Sequence, residues 1–456
     1  MSLFSTLSST SNALGAQEYG LEVTGQNMAN VNTPGYARRV VNLAETPSTD
    51  PLIAGGGVSV ENVTAQRDAL LEARLWHEQP SASEQGAIAD NLSVVQTDIQ
   101  GAGLDTQLNN FFDAFSALAS DPTSQPARMQ VASQGQALAQ TFNGLSASLS
   151  SAQRDADSSV RSDVAQVNAL AATLASINMS LSGATGAEAD TLKDQQTNAL
   201  ESLSQLIDFS VIQHDDGSVD VSIGQSHALV IGANAYQLQA ATTGPQGFAS
   251  LMSGSTDITS EIGGGSIGGE LRVRDTVLPG YEASLDQLAY DLSTSVNAAH
   301  QAGFDLNGNA GGAFFTPLAA PAGAAASLSV NPAILNDNSL IAAAGTATPG
   351  DNTAATAIAN LRTTALASGA TPLDAWGALV YRVGSDVQTA QQQQSSRGDV
   401  ITQLQNLRDQ TSGVSIDEEA ASMIKFQRAY EANAQFFTTV NSSLTTLMTM
   451  VSTITQ

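Results

Sequence analysis

The chain has 456 residues, of which 42% are hydrophobic and only 5% aromatic, and it carries a formal net charge of −27. Sixteen Lys and Arg against 43 Asp and Glu argue against nucleic acid and against anionic membrane surfaces, because both are bound through cations. The lack of cysteine excludes disulfides, thiolate metal sites and Cys nucleophiles.

In chain order, the first expected element is a helix from Leu3 to Ala29, with Leu7, Leu14, Leu21 and Met28 at every seventh position. The companion positions hold Thr10, Gln17 and Thr24, so this seam reads as half polar. Pro34-Gly35 supplies a turn, Pro presetting φ and Gly taking positive φ. Val40, Val41 and Leu43, then Val58, Val60 and Val63, flank the breakers Pro47, Pro51 and Gly55 to Gly57 and predict a hairpin or extended arm.

Residues 64–206 read as all-helical, with breaks at Asp121-Pro122 and at Gly183 and Gly186. Alternating Val219, Val221 and Ile223 after Asp216-Gly217 start a β region over 207–273, with Leu271 and Val273 expected to be extended. Tyr281 to Ala299 resumes helical spacing. Residues 310–371, rich in Ala, Gly, Thr and Pro, read as a loop or mobile surface insertion. A helix then opens at Thr371-Pro372.

The last segment has the strongest periodicity. Ser415 and Glu418 form a capping-box pattern. Ile416, Ala420, Met423, Gln427, Tyr430, Ala434, Phe437, Asn441, Leu444, Met448 and Val451 follow in steps of four and three, as a supercoiling seam requires. From Ala432 onward there is no charged residue, so a lone helix would leave much apolar area in water. Gln427 and Asn441 are either tolerated polar positions or register-setting residues in a buried seam.

Chemical motifs are sparse. Gly263, Gly265 and Gly268 have dinucleotide-loop spacing but sit in a glycine cluster that reads as a flexible turn. Asp305, Asn307 and Asn309 resemble the start of a calcium loop, yet Ala310 and Thr316 stand where Gly and Glu are required. His77, His214, His227 and His300 are scattered. No nucleophile, base and oxyanion set assembles, and neither an enzyme nor a cofactor or metal site is expected.

Asn30, Asn32, Pro34, Gly35 and Tyr36 belong to the run Ala29 to Tyr36, which resembles the N-terminal signature of the bacterial flagellar rod, hook and hook-associated proteins. Ser412 to Glu419, followed by Met423 to Asn433, resembles the C-terminal signature of that family. Arg274-Asp275 with Leu278 to Tyr281, Asn297 to Phe315, and Asp121-Pro122 with Arg128 are similar to the hook-associated members.

The resemblance implies a structural protein of the hook–filament junction. It implies partnership with other copies, hook protein and neighbouring hook-associated proteins, and an export chaperone on the C-terminal segment. It also implies unfolded export through the flagellar type III apparatus to the extracellular flagellum, without a cleaved signal. The start Met-Ser-Leu-Phe-Ser-Thr, which lacks a basic and an apolar signal region, fits that route.

The expected fold is mainly α with an inserted β domain. Residues 1–63 and 412–456 would form a coiled-coil-like terminal core with an extended arm. A long helical body would comprise 64–206 and 274–411, and 207–273 a small outer β domain. The expected assembly interface comprises Leu7, Leu14, Leu21, Met28, Asn30, Asn32, Pro34, Gly35 and Tyr36 near one end and Ile416, Met423, Gln427, Tyr430, Phe437, Asn441, Leu444, Met448 and Val451 near the other. In the monomer the terminal seams offer too little packing to offset ordering entropy, so folding and assembly are expected to be coupled.

Overall fold

The structure is a computed structural model that describes residues 3–47, 56–348 and 350–454. Pro51 and Gly55, expected in the hairpin tip, lie outside the described residues. Helix α1 spans Leu3–Ala29, and the antiparallel strands β1 (Arg39–Glu45) and β2 (Val58–Ala65) make the hairpin. Helices α2 (Ala69–Gly101), α3 (Leu104–Ser120), α4 (Gln125–Leu181) and α5 (Ala187–Leu206) follow.

Strands β3 (Phe209–Gln213), β4 (Val219–Ile223), β5 (His227–Ile231) and β6 (Asn234–Ala235) form one sheet in that order. A separate sheet contains β7 (Leu238–Ala241), β8 (Ser250–Ser253) and β9 (Thr256–Asp257). The helices α6 (Gly265–Arg272) and α7 (Leu278–Gln301) are joined by a π turn at Val273–Val277. Three short helices come next: α8 (Ala324–Ser327), α9 (Pro332–Asn336) and α10 (Thr353–Asn360). The chain closes with α11 (Pro372–Ser412) and α12 (Ile416–Ile454).

Two compact units emerge. The first comprises Met1–Pro80, Gln166–Leu238 and Arg397–Gln456, and holds α1, the hairpin, α5, the four-stranded sheet and α12. The second comprises Ser81–Ala165 and Gln239–Ser396.

The second unit has a dense apolar core. Phe111, Phe112 and Phe115 of α3 meet Phe314 and Phe315, all fully buried, with ring centroids 5.0–5.7 Å apart. Tilted and edge-on ring pairs of this kind add to the area they bury. Gly135 of α4 is the gap that admits Phe314, since a Cβ there would stand 2.8 Å from the ring. Helix α4 carries an 18-residue window of mean hydropathy 1.2, apolar enough to cross a membrane by composition alone. Its Leu138, Phe142, Leu145 and Leu149 are instead packed into this core.

Two local expectations are corrected. Leu271 lies in α6 and Val273 in the π turn, not in extended backbone. The glycine cluster is a packed helix start rather than a flexible turn: a Cβ on Gly268 would stand 2.9 Å from the Gly263 carbonyl carbon, and one on Gly269 2.5 Å from the Glu84 carbonyl oxygen. Close backbone approach therefore accounts for these glycines.

Residues 310–371 are also not a loose insertion. Phe314, Leu328, Val330, Ile334, Ile341 and Ile358 are buried in the core. The Asp286 carboxylate accepts from the Gly323 and Ala325 amides (2.7 and 2.8 Å), and Asn143 Nδ2 donates to the Ala325 carbonyl (2.7 Å). Aperiodic apolar residues carry no helical or strand period, so their burial left no pattern to read.

Candidate assembly interface

The two chain ends meet in the first unit. Asn27 of α1 lies 3.1 Å from Glu419 of α12, and Gly20 stands against Phe426, whose ring would be 2.6 Å from a Cβ there. The helices therefore run antiparallel, in a register that brings Leu3 opposite Ser443. Because α1 has 27 residues and α12 has 39, α12 continues beyond its partner. Leu447, Met448, Met450 and Val451 on that overhang are 47–68% exposed.

The face of α12 that meets α1 differs in part from the expected seam. The row Met423, Phe437 and Leu444 is half-buried as drawn, with Tyr430 between them more exposed. A second row, Glu419, Phe426, Asn433 and Val440, is buried or half-buried, whereas Gln427, Asn441 and Met448 of the expected row are exposed and only its Ala420 and Ala434 are half-buried. Gln427 and Asn441 face solvent, and Gln427 Nε2 donates to Glu431 on its own helix (3.2 Å). Ile416 and Val451 are exposed as well.

On α1, Leu7, Leu14, Leu21 and Met28 are half-buried, whereas the polar-looking Thr10 and Thr24 are buried. Their hydroxyls donate to the Thr6 and Gly20 carbonyls (2.7 and 2.8 Å), so only methyl groups need packing. Ala16 and Val23 complete the buried stripe.

One end of this pair is locked by polar groups. Asn27, 1% exposed, uses all its capacity. Its Nδ2 donates to the Arg39 carbonyl (2.8 Å) and to Glu419, while its Oδ1 accepts from the Arg39 amide (3.0 Å) and the Tyr36 hydroxyl (2.9 Å). Arg38 Nε donates to the buried Glu419 (2.7 Å), and the Arg38 amide donates to the Ser412 carbonyl (2.9 Å). α1, the hairpin and the start of α12 are thus tied by charge-assisted bonds away from bulk water.

The signature turn rests on α5. The Tyr36 amide donates to the Thr33 carbonyl (3.2 Å), closing a turn with Gly35 at φ 72°. Asn198 Nδ2 donates to the Pro34 carbonyl (3.0 Å), and any Cβ on Gly35 would collide with the Asn198 side chain. Asn32 and Pro34 are exposed, and Asn30 is half-buried with Nδ2 donating to the Gln26 carbonyl (2.9 Å). Asp194 holds both Arg39 (3.2 Å) and Arg67. Burial pushes its carboxyl up, against the pull of the two guanidiniums, and burial likewise raises the Tyr36 hydroxyl.

The other polar candidates are structural. His300 is fully buried, with Nδ1 2.8 Å from the Gly312 carbonyl and Nε2 accepting from the Ala342 amide (2.8 Å). Burial lowers it to about 4, keeping the imidazole neutral. Asp305 closes its own turn by accepting from the Asn307 and Asn309 amides (both 2.8 Å). Among the described residues no three His, Asp or Glu side chains gather where they could hold a metal ion.

Comparison with known proteins places this geometry. Residues 90–315 match the model described as the flagellar hook-associated protein FlgK helical domain. Curated relatives named flagellar hook-associated protein 1 align over 96% of the chain: one from Bacillus subtilis at 29% identity over 96% of its own length, and one from Escherichia coli at 26% over 98%. The chain belongs to the flagellar hook-associated protein 1 family. Residues 408–450 separately match the C-terminal model of the basal body rod FlgEFG proteins, so the region around α12 is shared more widely along the flagellar axis. The structure of the flagellar hook junction protein FlgK from Burkholderia pseudomallei has the same fold, with a TM-score of 0.66 at 16% identity, covering 75% of this chain and all of that one.

Sequence reasoning missed Gly20, Phe426, Val440, Asn27, Arg38 and Glu419. Phe426 and Val440 were legible in one respect: they are the larger apolar residues beside Gln427 and Asn441.

Proposed function

We propose that this chain works at the junction between the flagellar hook and filament by stacking its terminal helices with those of neighbouring copies. It is a structural subunit of the bacterial flagellum and not an enzyme. The observation that carries the reading is the terminal helix pair: locked by Asn27 and Glu419 at one end, and ending at the other in an uncharged, apolar overhang. An apolar helix end of this kind is stable in water only when something covers it.

The positions that would be covered on assembly are Ile416, Tyr430, Met448 and Val451, together with the outward sides of Leu7, Leu14, Leu21, Met28, Met423, Phe437 and Leu444. Gln427 and Asn441 would then set register between copies, and Asn30, Asn32, Pro34, Gly35 and Tyr36 would shape the collar of the core. Residues 1–63 with 412–456 act as the assembly core, 64–206 with 274–411 as the body, and 207–273 as an outer insertion. Hook protein and neighbouring hook-associated proteins flank it. Export runs through the flagellar type III apparatus without a cleaved signal, with a chaperone on the C-terminal segment until release.

Electron microscopy of cells lacking the protein tests this reading. Intact hooks without filaments, and flagellin shed into the medium, are expected; missing hooks would assign the chain to the rod or hook instead.

A further inference from the structure

The dipeptide Asn-Gly occurs twice in the chain, at Asn143-Gly144 and at Asn307-Gly308, each time after a large apolar residue. Asparagine is thermolabile, and a following glycine puts no side chain in the way of attack by its own backbone nitrogen. Both copies lie in the second unit, yet the fold treats them oppositely. Asn143 sits inside α4, where helical dihedrals keep the next nitrogen in the backbone ladder and away from the side chain. Its Nδ2 also donates to the carbonyls of Ala325, Ala326 and Leu328 (2.7, 3.0 and 3.3 Å). Asn307 and Gly308 are instead exposed at the tip of the Asp305 turn, and both line a cavity of about 140 Å³. Among the described residues, Asn307 Nδ2 has a single hydrogen bond, to Ser339 Oγ (3.2 Å). The Gly308 amide makes one long bond, to the Asp305 carbonyl (3.2 Å), and its φ of 81° marks the bend.

We propose that Asn307-Gly308 is a modification site of the folded chain, where the asparagine converts without an enzyme to aspartyl and isoaspartyl residues. The Gly308 nitrogen gives its proton to hydroxide and attacks Asn307 Cγ. An N–C bond forms, and the side-chain nitrogen leaves as ammonia. Water, which reaches both residues, then opens the cyclic imide at either of its carbonyls, so no oxidant or cofactor is needed. Ring closure gives up two long hydrogen bonds at Asn307, whereas at Asn143 it would break three bonds and a turn of helix. The isoaspartyl product routes the main chain through the side-chain carbon and lengthens the turn. That turn is closed by the Asp305 amide on the Asn309 carbonyl and by the Asn309 amide on the Asp305 carboxylate (both 2.8 Å). Its lengthening opens the segment from 303 to 311, which is otherwise held through Phe304 to the Ala344 carbonyl (2.8 Å).

Ageing the full chain in mildly alkaline buffer tests the proposal, with both sites followed by mass spectrometry and electron-based fragmentation separating the two products. In the folded chain, conversion at Asn307 should outrun that at Asn143 by about tenfold or more. In urea, where only the local sequence acts, the two should convert at similar rates. An intact Asn307 in the folded chain, or conversion no faster there than at Asn143, would overturn the proposal. Asn307→Gln keeps an amide but needs a larger ring, so after the same ageing position 307 should be unmodified and the turn should resist proteolysis better than in aged wild type. Equal cleavage of the two aged proteins between 303 and 311 would overturn the opening of the turn.

Discussion

The phenylalanine core and the terminal helix pair solve the same burial problem differently. Phe111, Phe112, Phe115, Phe314 and Phe315 are covered by their own chain, and Gly135 is shaped to receive one of them. Along α12, by contrast, Ile416, Ile424, Phe436, Leu447 and Met448 remain substantially exposed. The core buries its apolar area within one chain, whereas the terminal pair leaves apolar area uncovered, where the proposed assembly would place neighbouring copies. Polar groups divide similarly, since the Asn27 lock holds the pair together while the overhang carries no charge that would oppose docking.

The contrast would break most visibly under truncation. Removing the chain from Leu447 onward should abolish assembly while shifting the melting of the body very little; calorimetry and sedimentation read the two effects separately, and a collapse of the body would refute the division. Phe314→Ala should do the reverse, costing about 3–5 kcal/mol of stability through the cavity it leaves. Denaturant melts showing a loss below ~1 kcal/mol would mean that the core is less tightly packed than described.

Asn27→Ala should cost about 2–3 kcal/mol, because Glu419 and the Arg39 backbone lose buried partners. Its signature is early proteolysis near α1, and unchanged cleavage would discount the lock. A pH effect is also expected from Glu270, a buried carboxyl with an unpartnered oxygen. Burial, reinforced by Asp163, pushes it from 4.5 to about 8. The folded state thus holds this proton more tightly than the unfolded one, so its contribution is intact below 4.5 and is lost as pH rises through 8. Thermal melts of Glu270→Gln should show a flatter decline than wild type between pH 5 and 9, and parallel curves would reject the assignment. The smallest effect belongs to Gln427→Ala, within ~0.5 kcal/mol for the monomer because the side chain is exposed. A larger loss in the monomer would mean that the outer row is packed within one chain.

Much of the fold was legible because helices advertise themselves locally. The bounds Leu3–Ala29 follow from heptad leucines and the Pro34-Gly35 turn, and α12 starts where Ser415 meets the Glu418 amide (3.5 Å). The coupled-folding expectation needs revision at one end, where Asn27, Tyr36, Arg38 and Glu419 anchor the helix pair through contacts distant in sequence. No local pattern could have shown that a single asparagine makes four hydrogen bonds to three residues, Tyr36, Arg39 and Glu419.

What the sequence determined by itself was the long helices, the hairpins and the family, since period, turn chemistry and signature runs are all local properties; α6 and the short helices α8 to α10 carried no readable period. What only the tertiary structure decided was which face each helix commits. A seam with a 3.5-residue period has two flanking rows equally close to its central row. The Met423, Phe437 and Leu444 row was therefore readable, but the choice between Phe426 and Gln427 was not. That choice was made by Gly20, whose missing side chain leaves room for one ring and so turns Gln427 outward.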